Sequence, residues 1–121
     1  MDEDLKSIKS FLIKAKQLIL QGDYILCGGR SKNKLFMEKY GLTKNDCAQI
    51  VQSLHSNHGI AGPEEEERAN HPLGTIFKFI KRDQIDDQVV EIYIKLKIPD
   101  GEEMLEIISC HESSKEDQCY E

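Results

Sequence analysis

Between Val89 and Ile98 the chain alternates between apolar and polar residues without a break. Because successive side chains of a strand point to opposite faces, this pattern predicts a β-strand with one buried face and one polar face. Tyr93 and Lys95 share the polar face and lie roughly 6.6 Å apart, close enough to contact one phosphate or carboxylate together. The alternative interpretation is a solvent-exposed face without a ligand.

Two further segments with strand-like composition accompany it, Thr75 to Lys81 and Met104 to Cys110. The connections between the three segments, residues 83–88 and 99–102, are short, which predicts antiparallel hairpins. Earlier in the chain, the apolar run from Tyr24 to Cys27 ends at Gly28-Gly29 and predicts a short or edge strand. The sequence therefore predicts a small antiparallel sheet.

Apolar residues recur at helical spacing from Leu5 to Ile19, which predicts an amphipathic helix that ends at Gly22. A second helix is predicted from Lys32 to Tyr40, with Ser31 as its N-cap and Gly41 as its end.

A third helix is predicted to begin after Thr43 and to extend to about His55. Thr43 with Asp46 resembles a capping box, in which a side chain and a backbone amide at the helix start bond reciprocally. The short break at Gly41-Leu42 makes the second and third helices neighbours.

The segment from Ser56 to Gly74 shows no periodicity and contains two of the three prolines and the acidic run Glu64 to Glu67. It is predicted to be a mobile loop. The polar tail, residues 113–121, is predicted to be frayed. We therefore expect one domain, residues 1–121, with an α+β fold in which three N-terminal helices pack on the small antiparallel sheet.

Composition is that of an ordinary globular protein, with 39% hydrophobic and 31% charged residues in 121. No apolar run approaches the roughly 20 residues that cross a bilayer, so a membrane partner is not expected. The start of the chain is acidic where an export signal is basic, and the four cysteines are widely spaced. A cytoplasmic protein with reduced thiols is expected.

The net charge of −6 is unevenly distributed, since residues 5–60 carry nine basic residues against three acidic ones. An anionic ligand on one surface is therefore compatible with the total charge. Strong non-specific binding to nucleic acid is not expected, because its affinity scales with the number of phosphates that the protein neutralises.

Candidate chemistry lies on the predicted sheet. Lys78 is flanked by Phe77 and Phe79, an arrangement that suits stacked bases and a phosphate, although both rings could instead be core residues. His111 ends the last strand and has the side chain best suited to proton transfer near neutral pH, or else a purely structural role. Only if odd residues pair with odd residues do His111 and Tyr93 share a face, and that register would put Glu106 on the core face.

Other chemistry finds little support. Cys47, His55, His58 and His71 have metal-binding side chains, but their spacing matches no standard zinc pattern, so no metal site is predicted. The chain contains no phosphate-binding loop, no dinucleotide glycine fingerprint and no nucleophile elbow.

Six segments in order give the chain a resemblance to the MqsR (motility quorum-sensing regulator) family of bacterial toxins, over roughly residues 12–112. They are Arg30-Ser31-Lys32-Asn33, Tyr40-Gly41-Leu42-Thr43-Lys44-Asn45-Asp46, Gly62-Pro63-Glu64, Ile76-Phe77-Lys78, Glu91-Ile92-Tyr93-Ile94-Lys95-Leu96 and Ile108-Ser109-Cys110-His111-Glu112. The resemblance implies a RelE-like α+β toxin that cuts mRNA without a metal or other cofactor. It also implies a cognate antitoxin that silences the toxin, and mRNA as substrate, either free or on the ribosome.

By position, Tyr93 aligns with the family's active-site tyrosine, His111 falls where some members have a catalytic lysine, and Lys78 where some have a catalytic glutamine. A further family lysine, from the loop before the last strands, has no match in this acidic loop. We expect His111 to act as acid or base, Lys78 and Lys95 to stabilise charge, and Tyr93 to orient the phosphate. The expected RNA-contacting residues are Phe77, Lys81, Arg82 and Lys97.

Two rival functions stay open. One is a relative without catalytic activity that serves as a protein-binding or regulatory module. The other is a domain that binds nucleic acid without cutting it, with an affinity that falls steeply with salt. In the toxin hypothesis, the edge strand from Tyr24 to Cys27 could pair with a strand of the antitoxin.

Overall fold

The computed structural model describes residues 2–27 and 30–114. Gly28-Gly29, Cys119 and most of the predicted tail, residues 115–121, lie outside the described residues. The helices are α1 (Asp2–Gln21), α2 (Ser31–Tyr40) and α3 (Lys44–Gln52), and a 3₁₀ turn spans Ser56–His58. The strands are β1 (Tyr24–Leu26), β2 (Gly59–Glu65), β3 (Gly74–Ile85), β4 (Gln88–Pro99) and β5 (Leu105–Glu112).

The predicted α+β class is confirmed, but the sheet is mixed and not antiparallel. Its strand order is β1-β5-β4-β3-β2, and β1 runs parallel to β5 while the other neighbours are antiparallel. β1 also lies between α1 and α2 in the chain, so the helices do not form an uninterrupted N-terminal block. The direction of β1 relative to β5 depends on the path of the chain between them. The local sequence pattern does not encode that path.

Local signals at the helix ends are largely as predicted. Gly41 ends α2 in the left-handed conformation (φ 64°), and Thr43 forms the predicted capping box with Asp46 at the start of α3. The N-cap of α2 is Arg30 and not Ser31, which is the first helical residue. α3 ends at Gln52, three residues before the predicted end.

The segment predicted as a mobile loop contains a strand. β2 pairs with β3 along the edge of the sheet, with shifts in register on both sides of Ala61. A Cβ atom on Gly62 would lie 2.6 Å from the Phe77 ring, so only glycine permits this approach of β2 to β3. Glycine and proline are tolerated in such an irregular edge strand, and they conceal it in the sequence.

One face of the sheet, here called the helix face, carries the hydrophobic core against α1 and α3. Its strand residues are Phe77, Phe79, Val90, Ile92, Ile94, Leu96, Leu105, Ile107 and Cys110. Phe11 of α1 packs on Phe77 with ring centroids 4.5 Å apart. Within the described part of the chain, no helix is apolar over a length that would cross a bilayer. The opposite side of β3, β4 and β5 is here called the polar face.

Helix α2 covers the edge of β5 that the short β1 leaves unpaired. The side chain of Asn33 is fully buried and accepts a hydrogen bond from the Cys110 amide while donating to the Ile108 and Cys27 carbonyls. The Asn33 amide thus replaces the peptide group of a missing neighbouring strand.

Replacing Asn33 with Ala should destabilise the fold by about 2–3 kcal/mol, because buried peptide groups of β5 lose their partners. Urea unfolding of the variant measures this difference. Asn45→Ala, which removes an exposed amide, is the matched control. Equal unfolding midpoints for both variants would contradict the role assigned to Asn33.

Candidate functional site

Tyr93 and His111 face each other directly across β4 and β5. The strand register pairs the two residues, and their ring centroids lie 5.4 Å apart with the planes tilted by 42°. His111 Nδ1 lies 2.9 Å from the carbonyl oxygen of Glu112. Both side chains are buried, with 3% of Tyr93 and 5% of His111 exposed. The register that the sequence left open is therefore the one that brings the predicted acid–base residue to the predicted phosphate-orienting residue.

A β-bulge in β5 removes the objection to that register. Lys95 pairs with Ser109 but the next residue, Leu96, pairs with Ile107, so Ile108 is the extra residue. One extra residue inverts the alternation of side chains along the strand. Glu106 and His111 therefore both lie on the polar face, and the core receives no carboxylate.

The next row of the polar face holds two lysines side by side. Lys78 and Lys95 are directly opposite each other on β3 and β4, an arrangement of like charges that costs stability. Lys78 forms an ion pair with Glu64 at 2.9 Å, whereas Lys95 forms none with any side chain of residues 6–27 or 30–114. Burial lowers the pKa of Lys95, and the positive charge of Lys78 lowers it further. An anion bound here would relieve the repulsion between the two ammonium groups.

These lysines line a cleft of about 650 Å³, together with Ile76, Arg68 and the acidic run Glu64 to Glu67. The charges of Arg68 and Arg30 also lower the pKa of Lys95, after the effects of burial and Lys78. The positive charges of Lys78, Arg68 and Arg30 thus all act on the ammonium group of Lys95. Arg30 and Arg68 are not among the predicted site residues. Arg68 comes from the loop in which the family resemblance provided no matching lysine.

The acidic run is not a solvated stretch, since its residues alternate in burial. Glu64 is half-buried against Lys78 and Glu66 is buried, while Glu65 and Glu67 are exposed. Such a period of two is the signature of extended backbone beside a sheet.

Lys97 is fully buried and does not face solvent as an RNA-contacting residue would. Its ammonium group lies 2.7 Å from Glu66 Oε1 and also donates to the Pro72 carbonyl. Arg68 binds the same carboxylate through its Nε and Nη2 atoms at 2.9 and 2.7 Å. These bonds hold the segment after β2 over the polar face, which corrects the prediction of a mobile loop.

Two of the other expected RNA-contacting residues lie away from the polar face. Phe77 belongs to the core on the helix face, with 2% of its surface exposed. Lys81 lies on the same side of β3 as Phe77, where its ammonium binds Asp83 and the Ser53 hydroxyl at the end of α3. Arg82 alone of the four is an exposed residue of the polar face, in an ion pair with Glu91 at 3.2 Å.

Neither the thiols nor the histidines form a metal-type cluster in the described residues. Cys27, Cys47 and Cys110 are free thiols. No three histidine, cysteine, aspartate or glutamate side chains within 6–27 and 30–114 come together in a way that could hold a metal ion. The imidazole ring of His58 packs beside His55, and the His58 Nδ1 atom accepts a bond from the His55 amide.

The polar face therefore offers a phenol beside an imidazole, then two ammonium groups, at the spacing of consecutive rows on a sheet. An acid–base group next to cations suits the transfer of a phosphoryl group. Comparison of the chain with protein-family models, with curated proteins and with solved structures finds no match.

Proposed function

We propose that this protein is an endoribonuclease that cleaves mRNA with its own side chains, as toxins of the MqsR family do, on a RelE-like sheet. The observation that carries the proposal is the pairing of Tyr93 with His111 in the row next to Lys78 and Lys95. A phosphate bound by the two lysines would lie one row, roughly 6.6 Å, from the phenol and the imidazole.

The proposed reaction is attack of a ribose 2′-oxygen on the adjacent phosphorus. A base takes the 2′-hydroxyl proton, the new O2′–P bond forms, and the P–O5′ bond breaks as an acid donates a proton to O5′. His111 serves as acid or base in this step, and Tyr93 orients the phosphate or shares in the proton transfer. The products are a 2′,3′-cyclic phosphate and a 5′-hydroxyl end.

Lys78 and Lys95 stabilise the extra negative charge of the pentacoordinate phosphorus. Such preorganised charges are effective because the cleft holds them in place before the reaction. Lys95 has no ion-pair partner in the described part of the chain, so its charge is open to a phosphate and it is the stronger candidate for this role. Binding of the phosphate would raise the pKa of Lys95 again and favour its charged form.

The proposed RNA contacts differ from those expected from the sequence. Arg82 keeps this role, because it is exposed on the polar face. Arg68 joins it, since its guanidinium group lines the cleft with the two lysines. Phe77, Lys81 and Lys97 are not retained, because they lie in the core, on the helix face or in a buried ion pair.

As a toxin, the protein would have a cognate antitoxin as its partner. β1 is an edge strand of the sheet, so a strand of the antitoxin could pair with its outer side. Ile25 in the middle of β1 is 43% exposed and would gain contacts in such a complex.

Replacing Tyr93 with Phe should abolish most RNA cleavage while the protein stays folded, because only the hydroxyl is lost. The assay uses purified protein, EDTA in the buffer and analysis of the RNA ends. Wild type should leave cyclic-phosphate ends, and the variant should lower their yield by roughly 10²-fold or more.

Tyr24→Phe is the matched control, since it removes the same hydroxyl from a residue of β1 on the other side of the sheet. It should cleave like wild type. If wild type and both variants produce equal amounts of cyclic-phosphate ends, the cleavage does not depend on Tyr93. Either Tyr93 has no part in the reaction or a contaminating ribonuclease produces the ends.

A binding module without catalytic activity is the second candidate function. It is favoured by the ion pair of Lys78 with Glu64 and by the burial of Tyr93 and His111. This candidate predicts that wild type cleaves no RNA with or without ribosomes and still binds a protein partner.

A further inference from the structure

Helix α2 presents an unusual stripe toward the end of β5. Lys32, Leu35, Phe36 and Lys39 follow one another at helical spacing and line one cavity. Leu35 is 64% exposed although it is a large apolar residue. Of these four residues only Phe36 is buried, so the core does not require the other three.

The cavity has a volume of about 230 Å³ and is completed by His111, Glu112 and Ser114. His111 thus belongs to two places: its ring lies beside Tyr93, and the residue also lines this cavity. A group bound in the cavity would be in contact with the proposed acid–base residue. The cavity and the polar face are therefore adjoining parts of one surface.

Glu112 places a carboxylate at this apolar cavity. Lys39 Nζ and the Tyr40 hydroxyl both donate to its Oε1 atom, at 2.7 and 3.1 Å. These hydrogen bonds lower the pKa of Glu112, with that from Lys39 as the largest cause. The carboxylate is ionised and fixed in position, and its Oε2 atom is turned to no donor among the described residues.

We propose that the cavity is a subsite for one unstacked nucleobase of the RNA, next to the phosphate being cut, with preference for bases that carry an exocyclic amino group. This inference rests on the proposed function and names its sequence preference. Leu35, which is 64% exposed, offers apolar surface for the face of a base, and the largely buried Phe36 and His111 also line the cavity. Glu112 accepts a hydrogen bond from the amino group, as glutamate does from cytosine N4.

The two lysines at the rim complete the match to a nucleotide. Lys32 and Lys39 are exposed and flank the apolar surface on both sides, where the phosphates on either side of the base would lie. Uracil lacks the exocyclic amino group and can offer Glu112 only its ring N3–H.

The first test measures nucleotide binding directly, with wild-type protein and AMP, CMP, UMP or ribose 5-phosphate followed by NMR. AMP and CMP should bind about tenfold more tightly than UMP or ribose 5-phosphate and shift the signals of Leu35 and His111. Equal binding of AMP and ribose 5-phosphate would overturn the proposal, because then only the phosphate is recognised.

The second test compares cleavage of a randomised RNA by wild type, Glu112→Gln and Leu35→Ser. Glu112→Gln should lose its preference against uracil beside the cut, and Leu35→Ser should cleave more slowly at every sequence. Glu38→Gln, an exposed acid of the same helix, is the control. An unchanged cleavage pattern in Glu112→Gln overturns the subsite, whereas absence of cleavage by wild type overturns the nuclease and leaves the binding test to decide the subsite.

Discussion

Replacement of His111 with Ala is expected to lower the rate of RNA cleavage by about 10²–10⁴-fold, the range for loss of a general acid or base. The imidazole is the only proton-transfer group paired directly with Tyr93 across the described strands. Single-turnover cleavage of a short labelled RNA measures the chemical step without product release. Since Ala leaves a space where the ring was, added imidazole should restore part of the activity.

His71→Ala is the control, because His71 is an exposed histidine of the segment between β2 and β3. It should cleave at the wild-type rate and show no response to imidazole. His111 is buried, so the thermal unfolding of both variants must be measured as well. A folded His111→Ala protein that cleaves like wild type would remove His111 from the mechanism.

Much of the fold is predictable because its signals are local. The alternation from Val90 to Ile98 specifies β4, and its even-numbered apolar residues all reach the core or pack against it. The capping box of Thr43 and Asp46 fixes the start of α3 within a few residues. In both places the backbone conformation follows from neighbouring residues, without any distant contact.

The parts that sequence analysis misses depend on distant contacts. β2 contains Gly62 and a proline, and only the close approach of Phe77 explains why an irregular strand forms there. The parallel pairing of β1 with β5 likewise depends on where the chain returns after two further helices and three further strands. Neither feature leaves a periodic pattern in its own segment.

The candidate site divides in the same way. Tyr93, Lys95 and Lys78 could be placed on one face from the period of two along each strand. The partner of Tyr93 could not, because the bulge at Ile108 sets the register of β5 and has no glycine to mark it. Lys97 is assigned to the polar face by the same alternation, but its burial depends on Glu66, 31 residues away.

Replacement of Glu66 with Met should destabilise the protein by about 3–5 kcal/mol, because the ammonium of Lys97 is left buried without its counter-charge. Lys97→Met should have a smaller effect, because Arg68 still pairs with the Glu66 carboxylate. Both side chains are almost fully buried, with 0% of Lys97 and 2% of Glu66 exposed. Urea unfolding at pH 7 measures the free energy of each variant.

The double variant with Met at both positions should recover most of that loss, because two apolar side chains of similar volume replace the two charges. Glu103→Gln is the control, since it breaks the exposed ion pair with Lys14 and should change stability little. Single variants that are as stable as Glu103→Gln would show that the buried pair does not hold this segment on the sheet.

The same carboxylate predicts how stability depends on pH. Arg68 and then Lys97, through hydrogen bonds to Glu66, hold the pKa of its carboxyl well below its usual value of 4.5, against the opposing effect of burial. The stabilisation is therefore complete above about pH 4.5, and falls as the pH drops below it, where the unfolded chain takes up a proton that the folded chain does not. The double variant should lose less stability than wild type between pH 5 and pH 3, measured by urea unfolding at each pH.

This buried pair also connects stability with the proposed chemistry. The segment that Glu66 fixes to Lys97 carries Arg68 into the cleft and follows Glu64, the partner of Lys78. If the double variant is as stable as wild type yet binds RNA differently, the buried pair of Glu66 and Lys97 positions the charges of this segment for RNA binding. If its RNA binding and cleavage equal those of wild type, Lys78 and Lys95 are sufficient for both activities, and the buried pair contributes only to the stability of the fold.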